Sequence, residues 1–220
     1  MKKYGVLITT FNRYEYYKTT ADSLKRCDLL PGTKIFIVDD CSSDARIKEV
    51  SLDLQNHFKE YDVRLFTNEY NLGAQRNYRQ SLLKFENEDV DYVVNIDADC
   101  IFNKFWMKYL DQVISLFDHD VCANAFMGNL FHTVIFQNED YVETKTSNGL
   151  GVTLPKSMIT VFKDMPDTNS VSFDGFVYEE CRKRNIKSVS PINSYIEHIG
   201  DNGVNSKPYY LEKAVRFVYE

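Results

Sequence analysis

Along the first hundred residues the apolar positions switch between two rhythms. Tyr4–Thr10 is a short apolar run that closes on two threonines, the pattern of a buried strand. Residues 14–27 carry a helical rhythm. Residues 34–38 predict a second buried strand, ending at Asp39 and Asp40. Residues 44–58 place Ile47, Val50, Leu54 and Phe58 on one helical face. A third strand over 63–66 leads through the turn Asn71-Leu72-Gly73 into a helix over 74–85. A fourth strand over 92–96 ends in Asp97-Ala98-Asp99, and a helical pattern covers 102–117. Alternating strands and helices of this kind imply a mainly parallel sheet flanked by helices on both faces.

The second half is less regular. Residues 130–136 and 141–145 flank Asn138, Glu139 and Asp140 and predict a hairpin. A glycine-containing loop covers 148–151. Helices are expected over 156–162 and 176–184, and extended chain at Ser188 and Val189 and over 195–199. Residues 211–220 look helical and stop without a cap, as one domain of a longer protein would. With no repeat, linker or low-complexity tract, 1–220 reads as a single α/β domain.

Composition narrows the function classes. At 220 residues and 44% apolar, the chain can bury a sizeable core. Its net charge of −6 argues against a broad basic face for nucleic acid. The five cysteines, Cys27, Cys41, Cys100, Cys122 and Cys181, form no CxxC pair and are odd in number. They read as reduced thiols. No apolar run reaches the roughly 20 residues of a membrane helix and no leader precedes the first strand, so a soluble cytoplasmic protein is expected. The Tyr-, Phe-, Asn- and Lys-rich composition also suits a virus-encoded protein, and peripheral membrane association stays open.

In open parallel sheets, ligands bind beyond the carboxyl ends of the strands. Three of the four early strands deliver polar residues there: Thr9 to Arg13, Asp39 to Ser42, and Asp97-Ala98-Asp99. Residues i and i+2 of an extended chain point the same way, so Asp97 and Asp99 repel each other unless a cation sits nearby. A hard oxygen-liganded ion such as Mg²⁺ or Mn²⁺ answers this and could bridge to a diphosphate. The bland alternative is a capped turn.

Four segments in order, Leu7-Ile8-Thr9-Thr10-Phe11-Asn12-Arg13, Ile37-Val38-Asp39-Asp40-Cys41-Ser42-Ser43-Asp44, Asn71-Leu72-Gly73-Ala74-Gln75-Arg76-Asn77 and Asp97-Ala98-Asp99, resemble the GT-A glycosyltransferases of family 2. The resemblance covers the first half strongly and the rest loosely. It implies a GT-A fold, a Rossmann-like, mainly parallel sheet with a smaller mixed acceptor-side region. A nucleotide-sugar-binding half would span about 1–101 and an acceptor half about 102–220. It also implies transfer of a hexose-type sugar from a UDP-sugar, such as UDP-glucose, to a hydroxyl on a glycan, lipid-linked or protein-linked acceptor.

By the same resemblance, Thr9, Thr10, Phe11 and Arg13 would line the nucleotide pocket, with Phe11 against the base. Asp40 would accept from the base imide with Asp39 in support, and Arg76 would reach the base or phosphates. Asp97, with Ala98 beside it, would hold the ribose or a metal-bound water. Asp99 would bind Mn²⁺ or Mg²⁺, with Asp97 and His198 as further ligands. Asp174 matches the place of the catalytic base in inverting members, although Phe173 stands where the family often has another acid. As a residue type, Asp174 reads equally as a helix N-cap.

Two other enzyme classes share parts of this pattern. A haloacid-dehalogenase-like phosphatase carries its D-x-D on the first strand, whereas here it follows the fourth. A sugar nucleotidyltransferase needs a glycine-rich loop where Thr9 to Arg13 stand. A non-catalytic nucleotide- or sugar-binding module would bind a donor without ever releasing nucleotide.

Overall fold

The computed structural model describes residues 2–128, 133–145, 150–200, 214 and 216–219. The β/α rhythm of the first half is realised closely. Strand β1 (Tyr4–Thr10) leads to helix α1 (Tyr14–Leu24), β2 (Lys34–Asp39) to α2 (Arg46–His57), and β3 (Asp62–Thr67) to α3 (Ala74–Leu83). Then come β4 (Tyr92–Asp97), β5 (Cys100–Phe102), α4 (Trp106–Ile114) and β6 (Val121–Asn124). The hairpin β7 (Val134–Gln137) and β8 (Tyr141–Thr144) precedes β9 (Val152–Pro155) and α5 (Lys156–Ile159). A 3-10 turn (Thr160–Lys163), α6 (Phe173–Arg184), β10 (Lys187–Pro191) and β11 (Ile196–His198) follow.

Among the described residues, one large sheet runs in the order β3-β2-β1-β4-β9-β6-β10-β8-β7. Its first four strands are parallel, β9 is antiparallel to both β4 and β6, and the β7–β8 hairpin closes the far edge. The mixed half is therefore part of the same sheet.

Alternation along the strands splits the core between two faces. Val6, Ile8, Ile35, Ile37, Val94 and Ile96 pack against Tyr17, Leu24, Ile47, Leu54 and Trp106 of α1, α2 and α4. Leu7, Phe36, Val38 and Val93 meet Leu82, Met158, Phe162, Phe173 and Val177 on the α3–α6 face. The five cysteines are free thiols, four of them buried. Among the described residues no helix is long and apolar enough to cross a membrane.

Four expectations are corrected. The helix over 102–117 starts only at Trp106, because Cys100–Phe102 forms a short strand paired with β11. Helix α6 begins at Phe173 rather than 176, since Ser172 caps it. Strands β6 and β9 carry no predicted element; each is four residues long and buried on both faces, so neither shows alternation. A helix over 211–220 is not formed at the described positions: Ala214 bridges Gly128, and Phe217 bridges Ser194. The remainder of that segment, much of the 148–151 loop and residues 130–132 lie outside the described residues.

Candidate functional site

Strand register places Thr10 beside Asp39, Asp39 beside Thr67, and Thr9 beside Asp97. The carboxyl ends of four parallel strands thus present their polar residues along one edge.

The β1–α1 loop is built with backbone strain. Asn12 and Arg13 both hold left-handed conformations, at φ 51° and 57°, which costs of order 1–3 kcal/mol for a non-glycine residue. The Asn12 side chain sustains the turn: its Oδ1 accepts from the N–H groups of Ser43 (3.0 Å) and Asp44 (3.3 Å). Its own N–H donates to Ser42 Oγ at 2.7 Å. The turn sends Arg13 toward Asp99, to which Nη1 donates at 2.7 Å, with the guanidinium over the Tyr16 ring. Phe11 stands 38% exposed at the loop tip, while Thr9 and Thr10 are buried.

Asp39 and Asp40 have different surroundings. Asp39, half-buried, accepts from the N–H and hydroxyl of Ser42, and burial raises its pKa. Asp40 is 2% exposed. Its oxygens accept from Asn68 Nδ2 (2.8 Å), Asn71 Nδ2 (3.0 Å) and the N–H groups of Leu72 (2.9 Å) and Gly73 (3.0 Å). Four donors fill the lone-pair sites of a carboxylate, so a base imide would have to displace one of them. The geometry makes Asp40 the organiser of the 68–73 loop rather than an open acceptor. Arg76 is likewise engaged, its Nε donating to Asp167 Oδ1 at 3.0 Å.

Asp97 and Asp99 are held apart by different partners. Tyr78 of α3 donates to Asp97 Oδ1 at 2.6 Å. Burial, and then the charge of Asp99, push the Asp97 carboxyl up to about 6. Asp99 is 6% exposed. Burial pushes its pKa up, but the hydrogen bond and charge of His198 and the charge of Arg13 outweigh this and hold it low. His198 Nε2 lies 3.3 Å from Asp99 Oδ2, brought there by pairing of β11 with β5. Desolvation lowers the His198 pKa, yet Asp99 wins and raises it. Asp99 Oδ1 and Arg13 Nε and Nη2 are buried without hydrogen-bond partners among the described residues. Ala98, between the two acids, packs partly against the core.

Gly200 closes this cluster. A Cβ there would stand 2.1 Å from Asp99 Oδ2 and 2.8 Å from Arg13 Nη2. Gly200→Ala is expected to force the Arg13–Asp99 pair apart, at an overpacking cost of about 1–3 kcal/mol. A thermal melt checks this; an unchanged Tm would mean that the loop yields freely.

The acid expected at 174 lies across the site, on α6. Ser172 Oγ accepts from Gly175 N–H at 3.3 Å and is the N-cap, so the capping alternative for Asp174 does not hold. Asp174 sits exposed in the first helical turn. Phe173 packs on the Tyr78 ring, with centroids 5.0 Å apart. Burial, then the charges of Asp97, Asp99 and Asp174, push the Tyr78 phenol well up. Farther along α6, Glu179 and Glu180 are committed to Arg182 and Lys183.

The structure therefore brings Arg13, Asp97, Asp99 and His198 together and leaves Phe11, Asp39 and Arg76 along the rim. Sequence reasoning missed Tyr78, whose only signal is a tyrosine two positions after Arg76 on the same helix. It assigned no role to Gly200, which stands two positions after His198.

The pattern describing Glycosyl transferase family 2 matches residues 5–152. No curated protein sequence matches the chain. Among solved structures, S. aureus TarS superposes with a TM-score of 0.64 at 17% identity, covering 88% of this chain and 36% of that one. TarS 1-349 in complex with UDP gives 0.63 at 17% identity over 88% of this chain and 59% of that one. Its complex with UDP-GlcNAc gives 0.63 at 17% identity over 92% and 62%. The chain thus spans less than two thirds of each of these relatives, and at that identity the likeness concerns the GT-A-like fold. The family match covers more than half of the chain, over the strands and loops that build the polar edge, and the chain belongs to glycosyl transferase family 2.

Proposed function

We propose that the chain transfers a sugar from a UDP-sugar to an acceptor hydroxyl, with inversion at the anomeric carbon. The observation that carries the reading is the placing of Asp97 and Asp99 at the strand ends, with Tyr78 donating to Asp97 while its ring packs on Phe173, the residue before Asp174 at the start of α6. The UDP complexes of TarS support the choice of nucleotide.

Phe11 offers an exposed aromatic face to a base, and the adjacent Thr10 Oγ1 lies buried without a partner among the described residues. Arg13 keeps two guanidinium nitrogens for a diphosphate. Negative charge grows on the leaving oxygen as the glycosidic bond breaks, and a fixed cation aimed there lowers that barrier. The acceptor hydroxyl is a poor nucleophile, and Asp174 would take its proton from the side away from the diphosphate. A single base opposite the leaving group gives inversion.

The donor set suits a hard divalent cation shared with a ligand. Asp99 Oδ1 is buried and without a hydrogen-bond partner among the described residues, and burial, then the charge of Asp99, raises the Asp97 carboxyl. Among the described residues no three acids, cysteines or histidines enclose an ion by themselves, so phosphate oxygens and water would complete the shell. His198 already pairs with Asp99 and is better placed to orient that carboxylate than to ligate. When bound, Mn²⁺ or Mg²⁺ would neutralise the diphosphate and ease its departure.

A panel of sugar nucleotides including UDP-glucose and UDP-GlcNAc, read by release of free nucleotide with and without Mn²⁺, tests the activity. Binding without release from any donor would favour a non-catalytic module. Competition among UDP, GDP, ADP and dTDP tests the base. UDP should compete best; because thymine keeps the same imide, dTDP should follow it, and clearly tighter GDP would refute the uridine assignment.

A further inference from the structure

We infer that Asn169, together with Gln75, is a positioning residue that sets Asp174 against the donor pocket. The inference rests on the reading of Asp174 as the base.

Residues 163–173 cross the N-terminus of α3 as a strap. A helix start leaves several backbone N–H groups without intrahelical partners, and the N-cap of α3, Gly73, offers no side chain. Asn169 supplies what is missing from 94 positions along the chain. Its Oδ1 accepts from the N–H of Gln75 at 3.2 Å and of Arg76 at 3.3 Å. Its Nδ2 donates to the Leu72 carbonyl at 2.8 Å. The approach is close: a Cβ on Gly73 would lie 2.6 Å from Asn169 Nδ2, and Gly73 has φ +78°. A side chain at 73 would be both strained and in collision with the strap.

The second tie runs the other way. Gln75 Oε1 accepts from the N–H of Phe173 at 2.5 Å, one residue before Asp174. Arg76 holds Asp167, and Arg79 Nε donates to the Met165 carbonyl at 2.9 Å, so the strap is fastened along its length. On its other side the same turn binds the donor edge, where Leu72 and Gly73 donate to Asp40. A continuous line of hydrogen bonds therefore joins the end of β2, through 72–75, to the first turn of α6. Ser172 already caps α6 locally, so the link from Gln75 to Phe173 is not needed to start that helix. What it adds is a fixed separation between the helix start and the donor-side turn.

A displacement of about 1 Å in a catalytic group can cost on the order of 100-fold in rate. Asn169→Ala is expected to lower kcat on the order of 10- to 100-fold while leaving UDP affinity unchanged. Gln75→Ala, which removes only the tie to Phe173, should show the same split more mildly and guards against a failure of Asn169→Ala to fold. The closing experiment is a double-mutant cycle with Asp174→Asn, following kcat, UDP affinity and Tm. If Asn169 acts through the base, Asn169→Ala/Asp174→Asn turns over no more slowly than Asp174→Asn alone. Full kcat in both single variants, a loss confined to UDP affinity, or a multiplicative loss in the double variant would each overturn the inference with the base assignment intact. Full turnover by Asp174→Asn would instead remove the base assignment, and the inference with it.

Discussion

Asp174→Asn is expected to lower turnover by about 10²–10⁴-fold, the usual worth of general base catalysis, with UDP affinity unchanged and Tm lowered by no more than a few degrees. The structure sharpens this test. Ser172, not Asp174, accepts the capping hydrogen bond of α6, so the substitution leaves the cap in place. Asn keeps the shape of the side chain and loses its charge and its ability to take a proton. Asp174 is exposed in the first turn, where a charge contributes about 0.3–1 kcal/mol through the helix dipole, too little to unfold the domain. Glu179 and Glu180 point their carboxylates at Arg182 and Lys183 and are poor substitutes. Saturating donor and acceptor isolate kcat. Retention of more than about a tenth of wild-type turnover would leave the acceptor proton without its assigned base.

The second large effect is expected at Asp99. In Asp99→Asn, the gain in UDP affinity on adding Mn²⁺ should disappear, a change of at least about tenfold, or about 1.4 kcal/mol. The reason is local: Asp99 Oδ1 is a buried carboxylate oxygen at the strand end with no hydrogen-bond partner among the described residues. The same substitution weakens the ion pairs with Arg13 and His198. Stability should therefore fall, since removing one charge of a buried pair leaves the other uncompensated. Titration calorimetry with and without Mn²⁺, at a temperature well below the measured Tm, separates the two effects. An undiminished Mn²⁺-dependent gain in the variant would remove Asp99 as a metal ligand. Equal UDP affinity of the wild type with and without Mn²⁺ would remove the metal altogether.

The sequence by itself determined the parallel half and its polar edge. Strands β1, β2 and β4 are continuous apolar runs, because helices cover both faces of the sheet, and each is closed by a polar signal, whereas the edge strand β3 alternates between half-buried and exposed positions. Amphipathic helices between them leave one sensible topology. Position at the ends of those strands was enough to single out Thr9, Thr10, Asp39, Asp97 and Asp99. Three short strands were not legible: β5, β6 and β9 are three or four residues long with no hairpin signal to mark them, and a run that short carries no period to distinguish strand from helix.

Only the tertiary structure decided how the site is wired. Asp39 and Asp40 are adjacent acids in the sequence, yet one sits half-buried at the edge and the other is filled by four donors from a loop about 30 residues away. Asp97 and Asp99 look alike, yet one meets Tyr78 and the other Arg13 and His198. Their proton affinities diverge for that reason. Local propensity acts over a few neighbouring residues and can place a carboxylate at the end of a strand. The donors, charges and desolvation that decide what the carboxylate does come from segments 19 to 99 positions away, through contacts that exist only once the sheet has closed.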